Sequence, residues 1–199
     1  GLGDVYKRQL LHLVRALGWE AEPILADRGY GENTHCAVLV LAEGRPHLLD
    51  PGYLIVDPIP LEGSSVLRIG TVFNQLILSP GAGDRVDLYT IQQDKRTYRL
   101  TYKAQPADTG AFLKAWDASF GWDMMRYPLL TRVCGSKQLY LRGNRYQIRS
   151  REGKLQAELA REELMDRISS DFGIDRSVVI KALHVLKARG EPYGKAWPR

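Results

Sequence analysis

From about residue 20 to residue 105 the apolar positions come in short runs, many of them alternating, closed by glycine, proline and acidic residues. This is the pattern of antiparallel strands with one buried face. A short strand is predicted around Pro23 to Asp27, followed by a glycine-punctuated loop. The runs THCAVLVLA and RPHLLDPG are then separated by Glu43-Gly44, a hairpin signal. VLRIG, VDLYTIQ and TYRLTYKA continue the series, with turn material at Pro80-Gly81-Ala82-Gly83-Asp84 and at Asp94-Lys95. Together these strands predict a small barrel or a strongly curved sheet.

The pattern is different at both ends. LLHLVRALG is apolar at most positions and stops at Gly18, which predicts the last turns of a buried helix, Leu10 to Leu17. PADTGAFLKAWDASF reads as a helix with Asp108 or Thr109 near its cap. Three short strands follow, LLTRVCG, KQLYLRG and RYQIRS, divided by Gly135-Ser136 and Gly143-Asn144. LQAELAREELMDRIS and DRSVVIKALHVLKARG are helical, the second capped by Asp175 and stopped at Gly190. A domain boundary is expected near Pro106, with a β-barrel domain over 10–105 and an α/β domain ending in helices over 106–199. The leading tract GLGDVYKRQ, residues 1–9, resembles one reading frame of a transposase sequencing adapter. It is set apart as non-native, so the native chain is expected to start near Leu10, truncated within a domain.

Composition narrows the function classes. A chain of 199 residues with 44% hydrophobic and 26% charged residues suits an ordinary globular protein. The net charge of +5 is scattered, its densest group being Arg142, Arg145, Arg149 and Arg151. No nucleic-acid motif accompanies it, and a nucleic-acid partner is not expected. No apolar run approaches the roughly 20 residues that cross a bilayer, and nothing resembles a signal peptide, so no membrane partner is expected and the reading places the chain in the cytoplasm. Two cysteines, Cys36 and Cys134, make neither a disulfide framework nor a zinc set. No metal is expected.

Candidate chemistry sits in the first hairpin. His35 opens one strand and Asp50 closes the next, on either side of Glu43-Gly44, so the two are expected to be close neighbours on adjacent strands. A carboxylate on one imidazole nitrogen holds the tautomer that frees the other to take a proton from a nucleophile. Strand alternation turns Cys36 to the face opposite His35, which makes it a core residue and not the thiol His35 would activate. A chance or structural pair has the same spacing, and Asp50-Pro51-Gly52 is a good turn without catalysis. Cys134 has no neighbouring base in sequence. His12, His47 and His184 read as ordinary helix or strand residues, and Trp116, Trp122 and Tyr127, near Met124-Met125, as core of the second domain.

THCAVLVLAEGRPHLLDPGY resembles the central block of the arylamine N-acetyltransferase family, where Thr-His opens a strand and a Gly turn leads to a strand ending in Asp, Gly and an aromatic. The resemblance puts His35 on the catalytic histidine, Asp50 on the catalytic aspartate, and Gly52 and Tyr53 on the residues after it, where they would line the substrate pocket. LLHLVRALGWEAEPILA, LLTRVCGSKQLYLRGNRYQIRS and FGIDRSVVIKAL resemble flanking parts of the same family. Pro51 and Leu54 depart from the pattern, which has valine and a second glycine there.

The resemblance implies an α+β fold of the cysteine-protease-like, transglutaminase-like thiol-enzyme type: a β-barrel domain, then an α/β lid domain, with the N-terminal helical bundle missing. It implies a bacterial-type acyltransferase that moves an acetyl group from acetyl-coenzyme A to an amine through a Cys-His-Asp triad with ping-pong kinetics. The cysteine would fall among residues 1–9 or slightly earlier, where the adapter-like tract stands, so this chain is expected to be inactive. Two rivals stay open: amide hydrolysis or amide synthesis on the same triad, and a non-catalytic binding module that keeps the fold.

Overall fold

The computed structural model describes residues 2–61, 65–92 and 94–190, with backbone only for 2–6 and 123. Gly1 and residues 191–199, which the sequence reading put in the leading tract and the second domain, lie outside the described residues. The elements in chain order are α1 (Leu2–Ala16), β1 (Glu20–Arg28), β2 (Gly31–Ala42), β3 (Arg45–Asp50), β4 (Ile55–Pro60), β5 (Leu67–Gly70), β6 (Gln75–Pro80), β7 (Arg85–Gln92), β8 (Lys95–Lys103), α2 (Thr109–Ser119), β9 (Leu129–Cys134), β10 (Lys137–Arg142), β11 (Arg145–Arg149), β12 (Lys154–Glu158), α3 (Arg161–Phe172) and α4 (Arg176–Ala188). A single 3-10 turn, Pro51–Tyr53, joins β3 to β4, and a second covers Asp123–Arg126.

β1 to β8 form one antiparallel sheet in the order β4-β3-β2-β1-β8-β7-β6-β5. Laid flat, its edge strands would stand about 33 Å apart at roughly 4.8 Å per strand. Yet Pro60 and Leu61, at the end of β4, line the same cavity as Leu67 of β5. The sheet therefore curls until its edges approach, a half-barrel, which is the strongly curved sheet of the two forms that the strand series predicts. Alternation along the strands decides what fills it. Ile24, Ala26, Ala37, Leu39, Leu48, Leu88, Leu100 and Tyr102 point inward as one core. Ala21, Val38, Val40 and Leu49 point outward and are covered by Leu11 and Val14 of α1.

α1 runs from Leu2, so the helix expected to begin at Leu10 extends back through most of the tract set apart in the sequence. Lys7, Leu11 and Val14, at i, i+4 and i+7, share the face toward the sheet, and all three are buried. α2 is capped by Asp108, whose side chain accepts from the Ala111 N–H. It belongs with the half-barrel: the Ala107 N–H bonds Pro23, and the Arg8 guanidinium lies over the Trp116 ring. Contacts accordingly divide the chain after Gly121, with residues 72–74 assigned to the second unit, and not near Pro106. Trp116 packs with Phe112 of its own helix and with Phe120 just past its end, in the first unit and not in the core of the second.

The second unit is a four-stranded antiparallel sheet, β12-β11-β10-β9, backed by α3 and α4. Its fourth strand falls where the sequence pattern predicts the start of a helix. Lys154–Glu158 instead pairs with Arg145–Arg149 across a turn at Gly153, where φ is +156°, and cross-strand pairing overrides the helical propensity of LQAE. β4 and β6 also escaped the sequence reading: β4 carries two prolines, and in QLILSP the apolar residues are consecutive, so the run has no clear period.

Candidate active site

One inward-facing patch of the half-barrel is polar. Val38 pairs with Leu49 across the β2–β3 hairpin, and the two-residue turn Glu43-Gly44 fixes that register, with φ of +52° and +73°. The same register brings the start of β2 beside the end of β3. His35 shares its face with Ala37 and Leu39, and Asp50 shares its face with Leu48, so both enter the concave core. His35 stands directly opposite Ala26 of β1, whose small side chain leaves room for the ring.

His35 Nε2 and Asp50 Oδ2 are 2.5 Å apart, and both residues are buried, Asp50 completely. Asp50 takes two more hydrogen bonds: Tyr102 Oη donates to Oδ2 at 2.7 Å and the Gly52 N–H to Oδ1 at 3.1 Å. Lys7 Nζ lies 3.3 Å from Asp50 Oδ1 and 3.0 Å from His35 Nε2. An ammonium cannot accept, and Nε2 has one role to give. The shorter contact decides it: Nε2–H donates to Asp50, and Lys7 is an ion-pair partner of the carboxylate. Arg28 Nη2 is 3.0 Å from Nδ1, which therefore accepts.

Burial by itself would raise the Asp50 pKa. Its electrostatic interaction and hydrogen bond with His35, the neighbouring Lys7 charge and the bond from Tyr102 outweigh it and hold the carboxyl well below the usual carboxylate range. Burial pushes His35 down. Asp50 opposes this, Lys7 and Arg28 add to it, and the imidazole falls from 6.5 to about 4. Tyr102 is raised well above its ordinary value by burial and by the adjacent carboxylate. Near neutral pH the cluster is thus a neutral imidazole with a bare Nδ1, an ionised carboxylate and a protonated phenol. Chemically it is a base held in one tautomer.

The sequence matches no protein-family model and no curated protein sequence. Solved structures do match. The arylamine N-acetyltransferase of Mycobacterium marinum, in complex with CoA, is similar over 94% of this chain and 73% of its own, with TM-score 0.75 and 18% identity. The Mycobacterium smegmatis enzyme, in a cysteine-to-glutamine variant, gives 0.76 and 19% over the same shares. A Bacillus cereus arylamine N-acetyltransferase, described with a Cys-His-Glu catalytic triad, gives 0.68 and 12% over 85% of this chain and 71% of that one. The chain has the arylamine N-acetyltransferase fold.

Within this arylamine N-acetyltransferase fold the other residues named from sequence fall as follows. The Tyr53 ring meets His35 edge-on, centroids 5.4 Å apart, and packs against the inner core. Gly52 lies against the carboxylate: an added Cβ would come within 3.0 Å of Asp50 Oδ1 and 3.5 Å of His35 Cε1. Leu54, where the resembling pattern has glycine, adopts φ +63°, a left-handed conformation that glycine takes without strain. Cys36 is buried among residues of the outer face with Val38 and Phe112. Cys134 ends β9 of the second unit and is exposed. Among the described residues no group of three or more His, Cys, Asp or Glu could hold a metal ion, and no helix is long and apolar enough to cross a membrane.

Sequence reasoning missed Lys7, Arg28 and Tyr102. Two of them carry a readable signal: Arg28 continues the inward register of Ile24 and Ala26, and Tyr102 that of Leu100. A polar group on an apolar strand face invites the question of what it bonds. Lys7 was set aside with its tract.

Proposed function

We propose that this chain carries the base and the orienting carboxylate of an acyltransferase that moves an acyl group, acetyl in the simplest case, from acyl-coenzyme A to an amine. The observation that supports it most is the buried His35–Asp50 pair with Nδ1 left as the acceptor nitrogen, in a chain whose fold is that of enzymes with this activity. The resemblance of residues 34–53 to the family's central block adds the residue assignments.

In this reading a cysteine thiol gives its proton to His35 Nδ1, and the thiolate attacks the acyl-coenzyme A thioester carbonyl. The bond from acyl carbon to coenzyme sulfur breaks, coenzyme A leaves with the proton, and the acyl group stays as an enzyme thioester. An amine then attacks that thioester, His35 takes the amine's proton, and the amide is released as the proton returns to the cysteine. Help of this kind from a positioned base is worth roughly 10²- to 10⁴-fold. Asp50 stabilises the imidazolium formed in each half. Tyr53 and Gly52, beside the pair, would line the acceptor's approach.

The reading calls for a thiol that Cys36, facing away from His35, does not supply, and the family resemblance places a non-catalytic residue at Cys134. The helix indicates where one would fit. Long helical side chains lean toward the N-terminus, so a residue one turn before Lys7 is the candidate to meet the same groups. Gly3, one turn before Lys7 on the same face, is the position from which a short side chain would reach the same place. The unaltered chain is expected to show no acyl transfer. Gly3→Cys combined with Lys7→Ala is expected to become acylated by acetyl-coenzyme A, seen as a mass increase reversed by an amine, and to lose this with His35→Gln. Water reversing it as fast as an amine would favour hydrolysis. A folded double variant that never acylates, or an unaltered chain that turns over, would refute the reading.

A further inference from the structure

Arg28 plays no part in the chemistry just described, yet its guanidinium occupies the nitrogen that the chemistry needs. It stands at the end of β1, two residues past Ala26, the cross-strand partner of His35, and the register shifts between them. Such irregularities re-aim side chains beside sites. Three bonds place it: Nη2 lies 3.0 Å from His35 Nδ1, Nη1 donates to Tyr30 Oη at 2.6 Å, and the backbone N–H is held by Thr34 Oγ1 at 3.3 Å. Its Nε is buried with no acceptor among the described residues.

A guanidinium can only donate and stays charged at any ordinary pH. Contact at 3.0 Å therefore requires Nδ1 to present its lone pair. A proton there would set donor against donor and cation against cation. The carboxylate at 2.5 Å pulls the other way, because a nearby anion favours the imidazolium. Left to Asp50 alone, the ring would be drawn toward double protonation, and an imidazolium accepts no proton from a thiol.

We propose that Arg28 is a positioning residue for His35: by donating to Nδ1 it keeps that nitrogen free of a proton, so the ring rests as a base until a thiol takes the guanidinium's place. The meaning of this for catalysis rests on the acyl-transfer reading, but the state of the ring does not. The charged and titratable groups around the ring are Lys7 from α1, Arg28 from β1, Asp50 from the end of β3, Tyr53 from the 3-10 turn and Tyr102 from β8. Lys7 and burial act in the same direction as Arg28, so both are left unchanged in the test.

The test is a side-chain proton–nitrogen correlation spectrum of the full chain, followed as the pH is lowered, with His35 assigned among the four histidines by its loss in His35→Gln. The unaltered chain is expected to show a hydrogen on Nε2 and a bare Nδ1 at neutral pH. Arg28→Met, of similar length and uncharged, is expected to raise the His35 titration midpoint by about one pH unit or more. Arg28→Lys keeps the cation and should move it less. Tyr30→Phe frees Nη1 through an exposed residue, 72% accessible, and should move it in the same direction as Arg28→Met without threatening the fold. A midpoint unmoved in both Arg28→Met and Tyr30→Phe, or a protonated Nδ1 at neutral pH, overturns the proposal; if Arg28→Met does not fold, Tyr30→Phe decides. The two readings fail separately. Absence of acylation in the Gly3→Cys, Lys7→Ala chain would sink the acyl-transfer reading and leave the titration result standing, and an unmoved midpoint would sink the role of Arg28 with acylation intact.

Discussion

Mild acid should destabilise this protein through one residue. In the folded chain His35 is buried and titrates at about 4 against 6.5 for an ordinary histidine. Between those values the unfolded chain binds a proton that the folded chain refuses, so acidification favours the unfolded state. The contribution of His35 is complete above about pH 6.5 and is lost as the pH falls toward 4. At about 1.4 kcal/mol per pH unit the span amounts to about 3 kcal/mol, a large part of the 5–15 kcal/mol that holds a typical domain. Asp50 works in a separate window: its carboxyl lies below its ordinary 3.8, so its contribution is lost only as the pH drops below that value. The assay is the urea midpoint at a series of pH values from neutral to 4, for the unaltered chain and for His35→Gln. The unaltered chain should lose stability steadily across this range, and His35→Gln should be nearly flat. Equal slopes in the two proteins, or a midpoint that rises on acidification, would refute the reasoning.

Two further substitutions probe the same architecture. Tyr102→Phe removes a fully buried donor 2.7 Å from Asp50 Oδ2 and leaves the carboxylate short of a partner, which should cost about 1–3 kcal/mol in chemical denaturation; no loss would mean that Asp50 needs no help to stay ionised. Glu43→Asn should stabilise by about 0.5 kcal/mol, because Glu43 is exposed and held at φ +52° in the two-residue β2–β3 turn, where asparagine is favoured; a thermal midpoint that falls would contradict the turn assignment.

The first hairpin was legible because everything in it is local. Glu43-Gly44 fixes the register, the period of two fixes which side chains face inward, and together they bring His35 to Asp50 and turn Cys36 away. The caps at Asp108 and Asp175 were legible for the same reason, each bonding an N–H within three residues. The division between units was not. α2 has the composition of a helix in either unit, and only its bond to Pro23 and the contact of Arg8 with Trp116 assign it to the first. β12 reads as helix until Arg145–Arg149 offers it an edge.

The sequence by itself determined the kind of most elements, β4, β6 and β12 excepted, the inward faces of the first hairpin's strands, and the presence of one base and one acid on a shared face. Tertiary structure alone decided the electrostatic state of that pair. Tyr102 arrives from β8, which reaches β1 only because the sheet closes β8 onto it out of chain order, and Lys7 arrives from a helix laid across the outer face. Arg28 follows the inward register of β1, but its meeting with His35 depends on the extra residues that β2 inserts opposite it, a shift that no periodicity encodes. Proton affinity depends on distance and on excluded water, and both are set where distant segments meet.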